Sequence, residues 1–251
     1  MTKMMQQNLL RACFAIILSL TATTQAWAGP PFLTDDPEPT ENGHWEIYAP
    51  LLEGEGNGAN FEGSTGVELN YGAAPDVQIT LGLPIAFSHD SAHTRWGAGD
   101  VALSVKYRFY HNEDLGLSIA VFPGMTVPTA SKGMGAESVT GLLPIWFQKD
   151  SGAWSVFGGG GYAINPGDGN RDYLTGAFAV SRQFTPNLTI GLEAERNGAA
   201  TKDGHATTSL GVGTIYHLAA PYRLLASAGP TFEDGNGATG FHAFIALGFD
   251  F

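Results

Sequence analysis

His89-Asp90-Ser91-Ala92-His93 holds the residue types in this chain most able to perform chemistry. A histidine two positions from a serine shares one strand face with it. The imidazole could then take the hydroxyl proton if a carboxylate or amide orients the ring. Such a His89/Ser91 pair would act as a lipid hydrolase. His89 and His93 could instead ligate a metal. Histidine, serine and aspartate are equally ordinary in polar surface loops. The loop reading is preferred, so no catalytic residue, metal or cofactor is expected and the chain is not read as an enzyme. Gly158–Gly161 is no phosphate loop either, because no Gly-Lys-Ser/Thr follows it.

The remaining candidate side chains sit at strand spacing, and the strands must position them. Twelve segments alternate apolar and polar residues: 45–51, 61–71, 77–87, 100–110, 115–126, 138–148, 153–163, 173–184, 188–196, 207–217, 222–232 and 241–251. Successive side chains on a strand point to opposite faces. In the last segment Phe241, Ala243, Ile245, Leu247, Phe249 and Phe251 form one wholly apolar face, opposite His242 and Asp250. In residues 101–109 Val101, Leu103, Val105, Tyr107 and Phe109 oppose Ser104, Lys106 and Arg108. A soluble barrel or sandwich would bury the apolar face. Charges on the minority face fit a polar lumen with a lipid-facing exterior. Each segment is also near the roughly 9–11 residues that cross a bilayer at a tilt.

This register turns Glu46, Glu62, Glu68, Lys106, Arg108, Glu193, Glu195, Arg223 and Asp250 into the lumen. They would either plug a narrow barrel with cross-strand salt bridges or line a channel and set its selectivity. Twelve strands lie between filled eight-stranded barrels and open porins, so both readings stay open.

The breaks between segments alternate long and short, as expected for outer loops and periplasmic turns with both termini inside. Glu53–Asn60 and His89–Gly99 belong to the long class, and Ala73–Asp76 and Thr185–Asn187 to the short class. Aromatic residues gather near segment ends, as interfacial girdles require. The fold class is therefore all-β: a transmembrane antiparallel up-and-down β-barrel of twelve strands. The closing strand ends on Phe251, which resembles the assembly signal of bacterial outer-membrane barrels.

Export agrees with that fold. Lys3 and Arg11 precede a short apolar core, Cys13–Leu20, and Ala26-Trp27-Ala28 offers a small-x-small cleavage site. Residues 1–28 are read as a signal peptide, 29–42 as a periplasmic segment and 43–251 as the barrel. The only cysteine leaves with the signal. Of 12 basic residues Lys3 and Arg11 also leave, so 12 − 2 = 10 face 24 acidic ones, a net charge of −14. Such acidity excludes nucleic acid as a partner. Mean hydropathy is −0.02, and no apolar run after the signal is long enough for a spanning helix.

A more specific likeness sits at the start of the exported chain. Pro31-Phe32-Leu33-Thr34-Asp35-Asp36, followed by Gly43 and the Glu46-bearing first strand, resembles the MetA-pathway of phenol degradation family. The resemblance implies a Gram-negative outer-membrane barrel, of the kind called transporters, and it carries no binding residues. On physical grounds alone Asp35-Asp36 is an exposed turn or an acidic tail at the periplasmic mouth. The expected function is passive passage of small solutes, hydrophobic or aromatic, with no energy coupling. The expected partners are that solute, outer-membrane lipid with lipopolysaccharide, and the barrel assembly machinery. A plugged structural barrel is the alternative, and the His89/Ser91 hydrolase is the third.

Overall fold

The computed structural model describes residues 32–251, apart from residues 59, 91, 236 and 238. The signal-peptide assignment therefore lies outside the described residues. Fourteen strands follow in sequence: β1 (Trp45–Asn57), β2 (Asn60–Ala74), β3 (Val77–His89), β4 (Thr94–Ala98), β5 (Val101–Asn112), β6 (Leu117–Val121), β7 (Gly124–Val127), β8 (Thr140–Ser151), β9 (Trp154–Ile164), β10 (Tyr173–Thr185), β11 (Leu188–Asn197), β12 (Thr207–His217), β13 (Tyr222–Glu233) and β14 (Thr239–Asp250). They make twelve staves, because two staves are interrupted. β4 and β5 follow one another along β3, and β6 and β7 both lie between β5 and β8. Pro123, which has no N–H to give a ladder, falls in the second interruption.

All neighbours pair antiparallel, and β1 pairs with β14, so the sheet closes on itself and leaves no free edge. At the seam Glu46 lies opposite Asp250, and the Trp45 and Phe251 backbones exchange hydrogen bonds of 2.6 and 3.0 Å. Outward apolar side chains are bare: Leu174 is 70% exposed and Leu192 63%. The inward side chains are polar and buried, among them Asn70, Gln78, Thr80, Ser181 and Ser209. This inversion of a soluble protein is the signature of a wall facing lipid. Rings meet at both rims. Trp45 packs on Tyr71 and Tyr222 on Phe249 at the inner rim, while Phe61 bridges Phe87 and Phe241 at the outer one.

One expectation about connections is corrected. Glu53–Asn60 is not a long loop, because β1 continues to Asn57 and only two residues separate it from β2. Gly54 and Gly56 occupy its outward positions, and a Cβ there would lie 2.8 Å from Phe61 and 2.6 Å from Phe241. Glycine gives no apolar signal, yet here it makes room for the rings that cover it. His89–Gly99 likewise contains β4, which folds back on β3 from His89↔Thr94 to Ile85↔Ala98. Along β1, the irregularity between Tyr48 and Leu51 shifts the phase, so that Leu51, Glu53 and Glu55 follow Tyr48 on the inner face.

The glycine run of β9 is a close-packing device. A Cβ on inward-facing Gly159 would stand 2.0 Å from the Ile145 carbonyl oxygen and 2.8 Å from Trp146, whereas one on Gly176 would come no nearer than 3.5 Å to anything. Gly159→Leu should therefore block folding to the heat-modifiable form on electrophoresis, and Gly176→Ala should not. Equal folding of the two variants would contradict this packing.

Candidate functional site

The lumen is occupied by a strap. Residues 32–41 belong to no strand, and they run along the inner faces of the wall instead of outside them. Thr34 and Asp36 are completely or almost completely buried. Thr34 donates to Glu193 Oε2 from both its backbone N–H (3.0 Å) and its hydroxyl (3.2 Å). Lys106 Nζ lies 3.0 Å from Asp35 Oδ1 and 3.6 Å from Asp36 Oδ1, and also 4.8 Å above the Phe122 ring. Arg108 pairs with Glu38 and holds Asp76 with Nε at 2.8 Å. Farther along, Gln78 Oε1 accepts from the Thr40 N–H and hydroxyl at 2.7 and 3.0 Å. Gln78 in turn donates to Asn70, which donates to Glu68.

The nine lumen charges read from the sequence fall into three groups. Arg223 gathers Asp250 (2.7 Å), Glu46 and the Tyr48 hydroxyl (2.7 Å) at the β1–β14 seam. Lys106, Arg108, Glu68 and Glu193 meet the strap or its supporting network. Glu62 and Glu195 lie nearer the outer end, with Glu62 directly across from Glu55. Glu53, which takes a hydrogen bond from Ser64, and Glu55 belong to this outer group, although the sequence places them in a loop. Asp35, Asp36 and Glu38 were also missed as lumen residues. Their signal was the two lone inward cations of β5, which need partners once buried. Asp36 has its side chain 3% exposed, so it is no exposed turn.

Burial pushes the Asp36 carboxyl up from 3.8 to about 7, against the pull of Lys106 and with Asp35 and Glu38 adding to the rise. A carboxyl raised in the docked strap binds its proton better docked than free. Docking is therefore strongest below the free value and weakens as pH rises toward about 7. Conductance through the barrel should climb over that window and level off above it. Asp36→Asn should flatten the climb. An identical climb in the variant would assign it to another group.

The hydrolase residues are not assembled into a triad among the described residues. His89 Nδ1 meets the Thr94 hydroxyl at 2.8 Å on the exposed outer hairpin, and Ser91 lies outside the described residues. Asp90 accepts the N–H groups of Ala92 and His93, which hold its carboxyl below the usual range. Among the described residues, no group of three or more His, Cys, Asp or Glu side chains could hold a metal.

A closed twelve-stave wall with a bare apolar exterior and a polar, charge-lined interior defines an outer-membrane β-barrel, located in the bacterial outer membrane. The chain belongs to the family described as "Putative MetA-pathway of phenol degradation", whose model matches residues 54–247. Its fold is similar to that of an outer membrane channel from Pseudomonas putida F1, with a TM-score of 0.71 and 13% identity over 90% of this chain and 100% of that one. It is also similar to the KdgM porin, with a TM-score of 0.57 and 11% identity over 82% and 99% of the two chains. The translocator domain of the autotransporter NalP from Neisseria meningitidis follows at 0.50 and 14%, over 83% and 88%. At such identities the likeness is one of fold. No curated protein sequence matches this chain.

Proposed function

We propose that the protein is a passive outer-membrane channel for small hydrophobic or aromatic solutes, with residues 32–41 acting as its inner constriction. One observation carries the reading: a segment pinned through side-chain contacts, chiefly Lys106 to Asp35 and Asp36, occupies the lumen. A constriction held in this way can yield without breaking any strand pairing. The similarity to solved channels supports the reading, and the family's phenol description supports the solute class. The apolar belt would face outer-membrane lipid and lipopolysaccharide. Phe251, 62% exposed, would be accessible to the assembly machinery.

The full chain, refolded into planar bilayers and liposomes, should show single-channel steps and solute entry. Membranes that stay sealed across voltage and salt, even with the strap released, would sink the proposal. A second reading, a plugged structural barrel, draws on the same buried ion pairs. Neutralising Lys106 and Arg108 together separates the two: a channel changes conductance with its fold intact, whereas a plug loses stability. A lipid hydrolase would require Ser91, and Ser91→Ala would abolish its activity.

A further inference from the structure

The strap carries an aromatic ring into a seat cut in the barrel wall. Gly191 and Gly213 are register partners on β11 and β12, and both face inward. A Cβ on Gly191 would lie 2.6 Å from Phe32 Cζ, and one on Gly213 would lie 2.5 Å from Phe32 Cε1. The ring thus occupies the volume that two side chains would otherwise fill. Phe157 meets it edge-on, with centroids 5.5 Å apart and planes at 68°, the arrangement that aromatic quadrupoles favour. Ala179 and Phe157 are fully buried behind it. Two residues along, Thr34 presents an N–H and a hydroxyl to Glu193 Oε2.

The wall therefore offers a flat apolar slot for one six-membered ring and, next to it, a carboxylate that takes donors. Phe32 and Thr34 fill both from a segment that has no strand pairing of its own. Building on the channel reading above, we propose that this seat is a solute subsite. Its ligand would be a monocyclic aromatic carrying a hydroxyl or ammonium donor, and it would compete with Phe32 for the slot. The ring takes the place of Phe32, and its donor takes the place of Thr34 at Glu193. An aromatic carboxylate meets Glu193 with like charge and is rejected. A donor hydrogen-bonded to a buried carboxylate is strong enough to favour the first class about tenfold or more.

The test places 4-fluorophenylalanine at position 32 of the full chain in liposomes and adds 2-phenylethylammonium or benzoate. The first should shift the fluorine resonance and enter about tenfold faster than the second. Gly213→Val fills the slot from the wall. It should move the resonance without any solute and erase the preference. Entry of 2-phenylethylammonium with no shift at position 32 overturns the subsite while leaving the channel intact. A shift without entry supports the seat and overturns the channel reading. Equal effects of the two probes overturn the role of Glu193. Neither shift nor entry overturns both readings.

Discussion

Lys106→Met should raise conductance several-fold and leave the barrel folded. The side chain keeps its length and loses its charge. Asp36 then remains buried with no cation beside it, and Asp35 loses its 3.0 Å partner. Removing one member of a fully buried ion pair costs about 3–5 kcal/mol, and less here, because Asp35 is 26% exposed and Asp36 can take up a proton. That cost falls on the docked strap and not on the wall, because Lys106 Nζ donates to Asp35 and to the Glu38 carbonyl of the strap, whereas β5 is joined to β3, β6 and β7 by its backbone ladders. The strap should therefore leave the lumen and become cleavable by protease added at the inner face, while the heat-modifiable band stays. Lys106→Arg should retain most of the docking. Unchanged conductance with an uncleaved strap in Lys106→Met would show that Lys106 does not hold it.

Arg223→Met should do the opposite, weakening the wall more than it opens the lumen. Arg223 sits at the seam, only 5% exposed, between Glu46 and Asp250. Those carboxylates are register partners on β1 and β14, so the change leaves like charges directly opposite across the closing pair. Losing the buried cation costs about 3–5 kcal/mol, less whatever the 39%-exposed Asp250 recovers from water. The urea midpoint and the temperature of the band shift should both fall. Adding Asp250→Asn should restore part of the loss, since coupled neighbours are not additive. An unaltered midpoint in the single variant would show that the seam does not rely on this cluster.

The staves were legible because lipid and lumen impose opposite chemistries on alternate residues. Val77 to Phe87 and Leu188 to Arg196 show this pattern without ambiguity, and the structure places strands there. Two things escaped. The outer half of β1 alternates glutamate with glycine, so its outward face carries no hydrophobic mark. The strap has no period at all: its position follows from charge partners on β5 and a ring slot formed by two glycines in distant segments. Such complementarity becomes visible only once the sheet has brought Gly191, Gly213 and Phe157 together. Asp35-Asp36 by itself reads as a solvated turn.

The pairing of β1 with β14 also constrains how the molecule can be made. Most neighbouring staves are hairpins that close over short stretches of chain, but this seam joins the two most distant strands and must bear the largest loop-closure entropy. The strap lies directly before β1 and ends up enclosed. It must already be within the curl of the unfinished sheet when the seam zips, or it must thread in afterwards through the inner mouth. An early-captured strap would act as a mandrel, with Lys106 and Glu193 gripping it from opposite sides while the sheet rolls around it. Ion pairs that constrict the finished barrel would then also serve as a template for its curvature.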